Sequence, residues 1–350
     1  MKTTRTPRPI RALRTPGGLS LRLDVRTCAV VALLVLAALT ASVVLIGTGD
    51  FPIPAADVLR ALAGQGSQGQ EFIVRELRLP RVLVGLLVGG CLGVGGALFQ
   101  SVSRNPLGSP DVLGLSQGSA AGALTVIVLF SGSATAVTLG ALVGGLVTGA
   151  AIYLLAWKQG VHGYRLVLVG IGVSAVVTAV NGYLITKADF VDAARAVVWM
   201  TGSLDGRDWT QVGPLAVLCA VLLPVVLGGA RGLRMLEMGD DVSYALGVRV
   251  ERVRLLLMGC AVLLVAAATA AAGPVSFVAL TAPQLARRLT SPGPNLLPSL
   301  CMGAALLVTA DLTAQRAFGA DQLPVGVVTG VLGGVYLLWL LVAERRAGRI

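Results

Sequence analysis

Ten stretches of the chain stay apolar for long enough to be read as membrane-spanning helices: 28–47, 82–101, 112–130, 134–156, 166–186, 211–229, 253–272, 274–289, 296–314 and 324–343. A helix rises about 1.5 Å per residue, so roughly 20 apolar residues cross a hydrocarbon layer about 30 Å thick. The windows 211–229 and 324–343 are the most uniform, whereas Gly, Pro or polar residues interrupt 112–130 and 274–289. Three polar segments between windows exceed a simple turn. Residues 48–80 carry Asp50, Asp57, Glu71 and Glu76. Within 187–210, the apolar spacing of Val191–Trp199 predicts a helix lying along the membrane surface. The third, 230–252, contains RGLRMLEMGDDVSYALGVRVER and predicts a short helix, a glycine stop, and a second amphipathic helix ending at Leu246-Gly247.

Composition agrees with this pattern. Apolar residues make up 55% of the 350 and charged residues only 13%, against about 25% charge in a soluble domain that must face water on all sides. Mean hydropathy is +0.83. A soluble globule and a disordered chain are both excluded. The 45 glycines suit close helix packing in lipid, and 5% aromatic residues speak against a β-barrel with aromatic girdles. The fold class expected is therefore an all-α polytopic membrane protein. It divides into a basic tail, 1–27, a transmembrane domain, 28–343, and a short tail, 344–350. The apolar run 28–46 exceeds the 7–15 residues of a signal-peptide core, so it is read as a retained first helix.

Charge sets the orientation. With the N-terminus inside, 20 of the 28 Lys and Arg fall on the inner side of a ten-span chain and eight on the outer. That is the bias expected of cytoplasmic loops, and it puts both termini in the cytoplasm. The net charge of +11 then reflects topology and anionic lipid, with no call for nucleic acid. Cys28, Cys91, Cys219, Cys260 and Cys301 lack metal-ligand spacing, and His162 stands alone, so no metal or cofactor site is expected. No catalytic residues are expected either: the sequence has no GxxxxGK[ST], GxSxG or HExxH. Asp311, the one acid within an apolar window, is expected to cap or pair locally, with Arg316 a candidate partner.

Several segments, in order, carry a resemblance. They are RLPR at 78–81, RNPLGSPDVLGLSQGSA from Arg104 to Ala120, LEMGDDVSYALGV at 236–248, GPVSFVALTAPQLARRL at 273–289, ADL at 310–312 and LPVGVVTGVLGGVYLLWLL at 323–341. Together they resemble FecCD-type permease subunits of importers for iron-siderophores, haem and cobalamin, over about residues 28–343. Three positions depart from that pattern: Gln284 stands where His is common, and Ser276 and Ala279 where Gly is frequent.

The resemblance implies a type II ABC importer permease in the bacterial cytoplasmic membrane. It also implies a second permease subunit, identical or paralogous, two cytoplasmic ATPase subunits that hydrolyse the ATP, and an extracytoplasmic binding protein. The cargo implied is a ferric siderophore or a related large chelate, with haem or cobalamin as alternatives. A competing reading, an ion-coupled secondary transporter, calls for intramembrane acids or broken helices lined by charge near the bilayer midplane, which the sequence does not display. Arg78 and Arg81, with Arg316, occupy positions that the resemblance gives to binding-protein docking. Leu236, Gly239, Ala245, Leu246 and Gly247 are expected to couple the chain to the ATPase. Ser174, Thr178, Asn181 and Thr329 are the sparse polar groups expected along a translocation path between the subunits. The glycines at 114, 118 and 122 read as a packing stripe.

Overall fold

The computed structural model describes residues 11–14, 20–49, 51–158, 160, 163–290, 293–317 and 322–346; Asp50, His162 and the extremities of both tails lie outside the described residues. The strands among them are β1 (Arg11–Arg14) and β2 (Ser20–Leu23), an antiparallel ribbon in the basic tail that pairs Arg11 with Leu23. The membrane domain itself is all-helical. α1 (Val25–Gly47) begins where the Asp24 carboxylate accepts the Arg26 amide, satisfying one of the N–H groups a helix start leaves open. It turns Leu33, Leu36 and Leu39 outward and buries Ala41, Leu45 and Ile46.

The 48–80 segment is folded rather than loose. It forms α2 (Ala55–Leu62) and α3 (Gln68–Phe72), the second opened by a reciprocal Ser67–Gln70 capping box. A π-helical turn, Ile73–Arg78, then runs directly into α4 (Leu79–Ser103). Pro80 does not break this stretch, because it sits in the first turn of α4, where a missing N–H is tolerated.

The remaining helices are α5 (Leu115–Phe130), α6 (Ala134–Ala156), α7 (Gly163–Lys187), α8 (Phe190–Met200), α9 (Trp209–Gly228), α10 (Ala230–Glu237), α11 (Asp240–Ala245), α12 (Val250–Ala272), α13 (Val278–Leu289), α14 (Leu296–Arg316) and α15 (Val325–Arg346). All ten predicted windows correspond to helices: α1, α4, α5, α6, α7, α9, α12, α13, α14 and α15. Among the described residues, seven helical stretches are long and apolar enough to cross a membrane. The apolar parts of α5 and α15 are shorter, and α13 has only 12 residues.

The bundle is organised around α4, which packs on α14, α12, α13 and α9. Gly89 and Gly93 rest on the α14 backbone at Gly303 and Ser299, and Gly96 on the Ala279 carbonyl of α13. A Cβ at any of the three would strike main chain, so small residues are what permit these crossings. The 114, 118, 122 stripe does the same job, against Ser174 of α7, Thr148 of α6 and Gly140 of α6.

Two of the short helices are short because the chain enters the bundle unwound. Residues 104–114 turn back from the end of α4, and Gly114 meets Ser174, the eleventh residue beyond Gly163 and so about 16 Å along α7. Residues 273–277 enter from the other end, and Phe277 meets Gly333, eight residues beyond Val325 and about 12 Å along α15. Irregular backbone at such depth is allowed because protein surrounds it.

Candidate functional site

The three arginines expected at one end of the bundle are not equivalent. Arg81 donates through Nε and Nη2 to both oxygens of Asp311, at 3.0 and 2.9 Å, and through Nη1 to Asp205 at 3.1 Å. Asp311 is fully buried and takes a further bond from Gln315. Its ion-pair partner is therefore Arg81 of α4, not Arg316 of its own helix. Arg78 donates to the carbonyls of Ile46 and Phe51, fastening the segment after α1. Arg316 is exposed at the end of α14. Together Arg78, Arg81, Asp205, Arg207 and Gln315 help line a cleft of about 400 Å³ at this end. Burial lowers the Arg207 guanidinium from its usual value, while Asp205 and Asp208 push it back up.

The opposite end is the basic face, where α4 stops at Ser103 beside Gly163 of α7. Here α10 and α11 form the predicted helix pair, with Gly239 at φ 112° between them and Gly247 at φ 77° after the second. Ser243 pins the pair by donating to the carbonyls of Met235 and Gly239. Asp240 accepts both 2.8 Å bonds from Arg254 of α12, itself only 3% exposed, and one from Arg104 at 3.3 Å. So anchored, the pair presents Met238, Val242, Tyr244, Ala245 and Leu246 to solvent. Leu236 is not part of that surface. It is 2% exposed and packs inward with Leu233, because the amphipathic face of α10 is turned to the bundle.

The four expected path residues divide in a similar way. Thr178 is exposed on α7, and Ser174 is half-buried against Gly114. Asn181 is 2% exposed and donates to the main-chain and side-chain oxygens of Gln117 on α5. Thr329 is 5% exposed and donates to the Gly326 carbonyl. Asn181 thus ties α7 to α5, while Thr329 bonds back within α15 and is buried there. The surface left open on α7 and α15 is apolar, with Val176, Val180, Val331 and Val335 outward and, among the described residues, nothing close to Gly172, Gly182, Gly330 or Gly334.

Sequence reading missed the seam where the two unwound segments meet. Asp111, one residue outside the 112–130 window, accepts from Ser116 Oγ at 2.6 Å, and the Phe277 amide faces the same carboxylate. Gln100 donates to the Leu280 carbonyl, and Gln284 donates to the Pro106 carbonyl and to Gln100. The chain is therefore broken twice inside the bundle, and the seam is lined by neutral amides, a hydroxyl and carbonyls around the single carboxylate of Asp111. The sequence marks both breaks, through Asn105-Pro106 and Ser109-Pro110 after α4 and Gly273-Pro274 after α12; what it does not show is that the two segments meet.

A polytopic helical bundle with unwound segments inside it, a braced helix pair at its basic face and a cleft at the other end has the form of a membrane transport subunit. The chain matches the FecCD transport family over residues 30–343 and belongs to that family. It is 47% identical to the ferric enterobactin transport system permease protein of Escherichia coli, over 90% of this chain and 96% of that one. It is 38% identical to the iron(3+)-hydroxamate import system permease protein of Bacillus subtilis, over 84% of this chain and 90% of that one. Among solved structures, an inward-facing metal-chelate type ABC transporter superposes with a TM-score of 0.80 at 26% identity, covering 91% of this chain and 99% of that one.

Proposed function

We propose that the chain is the membrane-spanning subunit of an ATP-driven importer that passes a ferric siderophore inward across the bacterial cytoplasmic membrane, both its termini being cytoplasmic. Family membership and the ferric-enterobactin permease relative support the cargo class. The observation that carries the mechanism is the α10–α11 pair, an apolar surface braced from behind by Asp240, Arg254 and Ser243. A rigid apolar knob at a membrane protein's cytoplasmic face fits a groove on a partner. Here that partner is a separate ATPase subunit, one of two, whose movement α10 and α11 pass to α12 and α4 through Arg254 and Arg104.

On this reading the path lies between two permease subunits, along the open faces of α7 and α15, with Thr178 exposed to it and Ser174 near it. Asn181 and Thr329 shape it from behind. A smooth, weakly binding wall suits a bulky chelate, because a site that held it tightly would release it slowly. Arg78, Arg81 and Arg316 form the docking face for the binding protein: Arg316 offers its charge directly, while Arg78 and Arg81 hold the shape of the cleft. The test is co-purification followed by reconstituted uptake of a ferric catecholate chelate, with haem and cobalamin as competitors. An ATPase subunit that co-purifies, together with ATP-dependent ferric-chelate uptake, supports the proposal. Uptake by the chain alone under an ion gradient overturns it.

A further inference from the structure

The basic face holds a polar hollow of which the transport reading uses only Arg104. It is a cleft of about 650 Å³ bounded by Arg26 at the start of α1, Ser101 and Arg104 at the end of α4, Glu237 on α10, and Arg287 and Arg288 at the end of α13. Four guanidinium groups therefore meet one carboxylate there. Arg104 is left-handed, at φ 52°, a conformation uncommon outside glycine. It shares Asp240 with Arg254 through a 3.3 Å contact. Arg288 lies 4.8 Å from the centre of the Trp339 ring, which steadies its guanidinium, and its carbonyl accepts from Arg26 at 3.3 Å.

Arg287 is the second observation. One of its Nη groups reaches Ser101 Oγ only at 3.4 Å, and its Nε is closed off from solvent with no acceptor among the described residues. Arg287 lines the cleft with its one side-chain bond at the long limit of 3.4 Å, and an anion there would give its Nη groups a better acceptor. Guanidinium groups suit phosphate oxygens because their planar forks offer paired donors.

The position of the cleft narrows the source of the anion. Arg26 follows Val25, which is 63% exposed, at the start of a helix long and apolar enough to cross a membrane, with Leu33, Leu36 and Leu39 exposed along it. That is the depth of lipid headgroups, where basic pockets between helix ends take anionic lipids. We propose that this cleft binds the phosphate of an anionic phospholipid headgroup, of the phosphatidylglycerol or cardiolipin class, from the leaflet at the basic face. Occupied, it ties α1, α4 and α13 together beside α10. The inference needs only that these helix ends lie at a membrane surface, so it stands apart from the transport reading.

The test is native mass spectrometry of the full chain in detergent, titrated separately with dioleoyl phosphatidylglycerol, cardiolipin and dioleoyl phosphatidylcholine. Arg26 and Arg288 are exposed, so Arg26→Gln with Arg288→Gln leaves the packing intact. The unaltered chain should retain the two anionic lipids over phosphatidylcholine, and the double variant should bind them about ten-fold or more weakly. Arg287→Gln should weaken them as well. Equal retention of all three lipids, or unchanged retention in the double variant, overturns the proposal. So does inorganic phosphate that displaces the lipid and itself depends on Arg26 and Arg288, which would make the natural ligand a soluble anion. Loss of bound lipid on adding the ATPase subunit would show a protein interface and overturn it equally.

Discussion

Arg81 and Asp311 illustrate how a charge inside this bundle is made tolerable. Asp311 is fully buried, and its two oxygens take a guanidinium in a paired arrangement with Gln315 beside it. Neither group is tolerable there without the other, because a lone charge taken out of water loses several kcal/mol of solvation. Asp311→Asn is expected to destabilise the chain by about 3 kcal/mol, since it leaves Arg81 with only the exposed Asp205 as a charge partner. Joint replacement, Arg81→Met with Asp311→Leu, is expected to recover most of that loss. Thermal unfolding in detergent measures both. A single-variant loss equal to that of the double variant would show that the pair acts through packing alone. The sequence located Asp311 and asked for a local partner; the partner is 230 positions away, on a helix that only packing brings alongside.

At the scale of elements, α10 and α11 are the clearest case of a prediction meeting its structure. The glycine stops at 239 and 247 are where the sequence put them, and both have positive φ. What the pattern could not separate was which apolar residues face the bundle. Leu236 faces it, whereas Leu246 does not. Gly247 has open space around a Cβ among the described residues, so a side chain there acts through backbone strain and by protruding from the proposed coupling surface. Gly247→Trp should therefore leave the membrane domain folded while ATP hydrolysis proceeds without transport. Paired hydrolysis and uptake assays on proteoliposomes decide it, and normal coupling in a correctly inserted variant would remove α11 from the proposed contact.

For the whole molecule, the informative surface is the one that the chain leaves uncovered. α7 is among the least buried of the long apolar helices, with 17% of its most apolar window inside, and α15 is open along Val331, Val335 and Leu338. If that face lines a path between two subunits, Thr178→Cys should react with a water-soluble thiol reagent in at least one nucleotide state of the assembled transporter. Thr329→Cys, shielded by its own chain, should react far more slowly. Labelling followed by mass spectrometry checks the pair, and equal protection of both in an active transporter removes α7 from the path. By itself the sequence determined the membrane class, the ten helices, the basic face and the glycine-punctuated helix pair, because each depends on local hydropathy, charge or backbone freedom. Only the tertiary structure decided the partners of Arg81 and Asn181, the burial of Thr329, the depth at which 104–114 and 273–277 unwind, and the meeting of Asp111 with Phe277. Those depend on which helices touch, and a shared periodicity of apolar residues in lipid does not encode which neighbour a given face will meet.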